Sequence, residues 1–89
     1  MRLLVAEDET RLAQTLKDLF AENNYIVQVA NDGITAYDEA ASGIYDVVVL
    51  DVMLPGMDGF EIVRKLRSEG VSTPVLLLTA RGETSDRVY

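Results

Sequence analysis

A doubly wound α/β fold with a parallel sheet is predicted by three observations along these 89 residues. Short apolar, β-branched runs alternate with stretches of helical period. A helix-length crossover separates each pair of runs, which leaves no room for a tight antiparallel hairpin. Two of the runs, residues 47–50 and Val75–Leu78, are apolar throughout, as strands covered on both faces must be.

The elements follow in order. Arg2–Ala6 reads as a buried first strand. Leu12, Leu16, Leu19 and Phe20 then recur at helical spacing until Asn23-Asn24 supplies a stop. Residues 25–30 return to β-branched and aromatic types. Asn31 is the expected N-cap of a second helix carrying Ile34, Tyr37, Ala40 and Ala41 inward and ending at Gly43. Residues 47–50 form a central strand. After a Pro-Gly loop, Ile62, Val63 and Leu66 mark a third helix closed by Gly70. Val75–Leu78 is a further buried strand entered through Pro74, and residues 81–89 read as the start of another helix. The whole of 1–89 is expected to be one domain.

Composition narrows the function. Fifteen acidic against eight basic residues leave a formal charge of −7. That disfavours a phosphate-backbone binder, whose affinity rests on Lys and Arg, and suits a domain that collects divalent cations or meets a basic partner. With no cysteine and no histidine, disulfides, thiol chemistry, zinc sites and imidazole catalysis drop out. The apolar start at 3–6 runs straight into Glu7-Asp8-Glu9 rather than into a signal peptide. No run approaches the roughly 20 apolar residues of a membrane span. A soluble, cytoplasmic protein is expected.

In an open parallel sheet, ligands bind beyond the carboxyl ends of the strands. Those ends carry Glu7 and Asp8 after the first strand, Asp51 after the third and Thr79 after the fourth. Carboxylates that converge on one crevice repel one another and call for a cation. An all-oxygen donor set points to a hard metal, and an open site with few carboxylates suits Mg²⁺. A lone carboxylate after a strand often only caps the next helix; the placement of several at strand ends is what signals a site. The turn after the first strand carries no glycine, so a phosphate-cradling loop is not expected. A phosphatase of the haloacid-dehalogenase type would place an acid two residues after its nucleophile, and residue 53 is Met.

The runs VAEDE at 5–9, VVVLDVMLPGMDGFE at 47–61 and TPVLLLTAR at 73–81 resemble the receiver domain of two-component response regulators, most closely the subfamily preceding a winged-helix DNA-binding domain. The resemblance implies a flavodoxin-like receiver fold with strand order 2-1-3-4. It makes Asp51 the phosphoacceptor, fed by a sensor histidine kinase, and Thr79 the switch hydroxyl. It assigns Mg²⁺ to Glu7, Asp8, Asp51 and the backbone carbonyl of Met53. It also gives Pro55 and Gly59 the role of shaping the loop after Asp51. The output it implies is transcription regulation, with DNA met only through a further C-terminal domain.

The family pattern continues to a fifth strand ending in a lysine and then to a last helix, both missing from 1–89. Lys17 and Lys65 fall on solvent faces by periodicity and are no substitutes. The resemblance therefore implies weak or absent phosphorylation of this piece and an open fourth-strand edge, to be covered in a homodimer or by a complementing chain. Two other functions stand beside the phosphoacceptor, which is not a turnover enzyme. One is a truncated or engineered receiver fragment that only binds or assembles. The other, less favoured, is a Mg²⁺-dependent phosphohydrolase.

Overall fold

The computed structural model describes residues 1–78 and, for their backbone only, 87–88. The elements run β1 (Arg2–Ala6), α1 (Thr10–Glu22), β2 (Ile26–Ala30), α2 (Gly33–Ala41), β3 (Val47–Asp51), α3 (Gly59–Ser68), β4 (Val75–Leu78) and β5 (Arg87–Val88). The sheet order is β2-β1-β3-β4-β5. The first four strands are parallel, in the expected order 2-1-3-4.

Strand alternation divides the core in two. Leu4, Ala6, Val48, Leu50, Val75 and Leu77 face α2 and α3. Leu3, Val5 and Val49 face the other way, toward Leu16 and Phe20 of α1. The second helix and the third are further joined at their outer ends. The Tyr37 hydroxyl donates to Glu69, and the Lys65 ammonium sits 5.1 Å from the centre of the Tyr37 ring.

Four expectations need correction. Asp32, not Asn31, caps α2: its carboxylate accepts the Thr35 amide at 2.7 Å. Gly33, Ala36 and Ala40 are the buried positions of this helix, whereas Ile34 is 55% exposed and Ala41 also faces solvent. In α1 the inward residue is Ala13, with Leu16 and Phe20 half-buried, while Leu12 and Leu19 are exposed. The fourth strand is not buried on both faces, since Leu76 and Leu78 are only half-buried.

The fourth correction concerns the last two described residues of the expected helix over 81–89, the others lying outside the described residues. At 87–88 the backbone is a strand, antiparallel to β4, with Val88 opposite Leu76 and Arg87 opposite Leu77. It is not the parallel fifth strand of the family pattern. It still pairs the β4 edge that was expected to lie open.

Candidate acidic site

Register and alternation bring the carboxylates together. Val5 pairs with Val49 and Ala6 with Leu50 across the parallel β1–β3 ladder, so the next step sets Glu7 beside Asp51. Both share the parity of Val5 and Val49 and therefore one face of the sheet. Asp8 follows where the chain turns into α1. Each of the three offers a carboxylate oxygen, and these oxygens lie within 4.8 Å of one another. Glu7 is 4% and Asp51 8% exposed, whereas Asp8 faces solvent.

Backbone groups hold the two buried carboxylates. The Met53 amide donates to Asp51 Oδ1 at 3.1 Å, and the Glu9 amide to Glu7 Oε2 at 3.0 Å. The start of α3 closes over the same loop. Asp58 caps that helix by accepting the Glu61 amide at 2.9 Å, and the Gly59 amide donates to the Val52 carbonyl at 2.9 Å. A Cβ on Gly59 would stand 3.0 Å from the Asp51 carbonyl oxygen and 3.0 Å from Val52 Cα. Close approach, expected here from the sequence, is thus a requirement of the backbone. Beside the carboxylates, Asp8, Val52, Met53, Pro55, Asp58 and Phe60 line much of a cavity of about 500 Å³.

Burial pushes the Glu7 carboxyl up to about 7. The Glu9 amide opposes this, while the hydrogen bond and negative charge of Asp51, and then Asp8, add to it. Burial is the larger cause and the acidic neighbours the smaller, and both would be offset by a cation bound among these oxygens. The donor set is all oxygen and partly open to solvent, so the residues present fit a small hard cation. The Met53 side chain is 47% exposed and outside this set, but its main chain is fixed to Asp51 through the amide. Thr79 lies outside the described residues. Lys17 and Lys65 are exposed, as the periodicity predicts.

Two residues near the site were not singled out from the sequence for what they do. Asn31 donates from Nδ2 to the Glu7 carbonyl at 3.1 Å. Gly33 donates its amide to the Pro55 carbonyl at 2.8 Å. Only the Asn-Asp-Gly turn composition pointed to this junction, and it was read there as a helix cap.

A doubly wound sheet that gathers carboxylates beyond two neighbouring strand ends fits the receiver class of α/β domains. Residues 3–89 match the response regulator receiver domain family, and the chain belongs to it. It is 48% identical over 88 residues to the transcriptional regulatory protein TcrA of Mycobacterium tuberculosis, an alignment spanning 99% of this chain and 35% of TcrA. It is similar to the solved receiver domain of Francisella response regulator 1452, with a TM-score of 0.86 and 38% identity over 93% of this chain and 69% of that one. It is also similar to the response regulator TrrA of Thermotoga maritima, solved in complex with Mg²⁺-BeF. There the TM-score is 0.83 and the identity 34%, over 91% of this chain and 70% of TrrA. The chain thus spans about a third of the length of the curated relative it matches. Among the described residues, no helix is long and apolar enough to cross a membrane.

Proposed function

We propose that this chain is the phosphoacceptor module of a cytoplasmic two-component response regulator, accepting a phosphoryl group on Asp51 from a sensor histidine kinase. The observation that carries this is the cluster of Glu7, Asp8 and Asp51 with oxygens within 4.8 Å of one another, two of them buried. Glu7, Asp8, Asp51 and the Met53 carbonyl would hold Mg²⁺. When bound, the cation offsets negative charge on the phosphoryl oxygens and on the acidic cluster.

The chain's own residues align the acceptor. The Met53 amide fixes Asp51 through Oδ1, and the closed start of α3 keeps the loop from swinging away. An Asp51 carboxylate oxygen forms the new bond to phosphorus as the phosphorus–nitrogen bond of the donor phosphohistidine breaks. The electron pair leaves on the imidazole nitrogen, and the product is an acyl phosphate. Thr79 is the hydroxyl proposed to meet the phosphoryl oxygens and move the segment that follows, switching the output. In the relatives' longer chains that output is named transcriptional regulation, and we extend it to the protein from which this sequence comes. A second copy of the chain, or a complementing chain, is the further partner proposed.

The phosphohydrolase reading needs an acid two residues beyond Asp51, where Met53 stands. Incubation with acetyl phosphate and Mg²⁺, followed by intact mass, tests the assignment. For a chain extended through the fifth strand and last helix of the family pattern, the expected result is the gain of one phosphoryl group, abolished in Asp51→Asn. Undiminished labelling of that variant would overturn the proposal, and release over many turnovers would favour the hydrolase.

A further inference from the structure

The five residues 30–34 at the β2–α2 junction touch both loops that carry the acidic cluster. On one side they hold Glu7 by its main chain. The Glu7 amide donates to the Ala30 carbonyl at 3.0 Å, and Asn31 Nδ2 donates to the Glu7 carbonyl at 3.1 Å. On the other side they hold the loop after Asp51. The Gly33 amide donates to the Pro55 carbonyl at 2.8 Å. A Cβ on Gly33 would lie 1.9 Å from the Met57 carbonyl oxygen and 2.7 Å from both Met57 C and Met57 N, so backbone meets backbone there. The Ile34 side chain rests against Gly56, whose Cβ position is 3.4 Å from it.

These contacts have a common geometry. Glu7 and Asp51 extend from neighbouring strands, and nothing in the β1–β3 ladder continues past Ala6 and Leu50 to fix the distance between their loops. The junction bridges that gap from the flank. It binds the main chain rather than the carboxylates, so it fixes positions without drawing on the oxygens a cation needs.

We propose that Asn31 and Gly33 are positioning residues that set the spacing between the Glu7–Asp8 turn and the Asp51 loop, and thereby the cation affinity of the cluster. The proposal rests on the reading of the cluster as a Mg²⁺ site. It assigns a job to two residues that touch neither cation nor phosphoryl group.

The test is Mg²⁺ affinity of the 89-residue chain by isothermal titration calorimetry, with metal-free thermal midpoints measured in parallel. The variants are Asn31→Ala, Gly33→Ala and Gly70→Ala. Gly70 adopts φ +81° at the far end of α3 with open space around its Cβ position, so its substitution strains the fold away from the site. Asn31→Ala and Gly33→Ala are expected to weaken Mg²⁺ binding about tenfold or more, the usual effect of losing an outer-shell support. Gly70→Ala is expected to lower the midpoint and keep wild-type affinity. For Asn31→Ala, the metal-free midpoint should stay near the wild-type value while Mg²⁺ affinity falls, which separates a cation effect from a general loss of fold. Asn31 is exposed and gives up a single hydrogen bond, so this variant stays informative even where Gly33→Ala fails to fold. Wild-type Mg²⁺ affinity in Asn31→Ala, or losses that merely track the midpoint as in Gly70→Ala, would overturn the brace alone. A wild-type chain that takes up no Mg²⁺ would instead sink the cation-site reading, and the brace with it.

Discussion

Glu7 couples the site to pH. Its carboxyl is raised from 4.5 to about 7, chiefly by burial, so the folded chain holds that proton more tightly than the unfolded chain does. The stability this confers is complete below the unfolded value near 4.5 and is lost as pH climbs through about 7. Metal-free urea unfolding should therefore show a stability that declines across that window. Glu7→Gln removes the titrating group and should flatten this part of the profile. Mg²⁺ should reverse the decline at pH 7 and above in the wild type, and do so far less in the variant. A wild-type profile that rises from pH 4.5 to 7 in metal-free buffer would contradict the assignment. Gly59 is the second residue with a sharp consequence. Its missing side chain leaves room for the Asp51 main chain, with Leu77 Cδ2 only 2.9 Å from its Cβ position. Gly59→Ala should cost about 1–3 kcal/mol by overpacking, read from the denaturation midpoint, and should slow labelling of Asp51 as well.

At the scale of elements, the helix starts carry the site as much as the strands do. Asp58 caps α3 with a 2.9 Å bond to the Glu61 amide, and that helix start encloses the Asp51 loop. Asp58→Ala should cost about 1 kcal/mol in urea unfolding, with Asp58→Asn recovering most of it. The strands were legible because their signal is local. All-apolar runs at 47–50 and Val75–Leu78 needed no partner to be read, and Glu7, Asp8 and Asp51 fell at their expected ends. Helix orientation was less legible. Asn31 and Asp32 are both good caps; in the fold Asp32 caps α2, while Asn31 is engaged by Glu7, 24 residues away, a contact with no local trace. The closeness of Gly33 to Met57 is likewise a long-range fact with no trace in local spacing. Residues 87–88 carry too short a pattern to separate a helix start from a two-residue strand, and the pairing with β4 decides it.

The molecule as a whole is small and strongly acidic. Its principal extents are 32 × 29 × 21 Å and its formal charge is −7. At about 10 mM ionic strength the screening length is roughly 30 Å, so the charges repel one another across the entire body. At about 150 mM it falls to roughly 8 Å and only neighbours interact. The thermal midpoint should rise with NaCl over that range. At matched ionic strength MgCl₂ should raise it further, because site binding adds to screening. Equal midpoints in the two salts would argue against a specific cation site. The core leaves little to spare: a chain of this length has only about 4–13 kcal/mol of total stability by size. Leu50→Ala, at a fully buried position of β3, should remove about 2–5 kcal/mol of it in urea unfolding.

The matched exit of Glu7 and Asp51 from adjacent strands has a consequence for how this chain can change length. Side chains alternate along β1 and β3, so deleting one residue within Arg2–Ala6 would point Glu7 toward α2 and α3 and bring Asp8 to the position beside Asp51. The same deletion would turn every apolar residue between it and Glu7 to the opposite face. The exposed residues 42–44, at the opposite end of the sheet, are under no such count. Insertions and deletions are therefore expected to be tolerated at the amino ends of the strands and excluded between the core and the acidic cluster, with parity as the constraint.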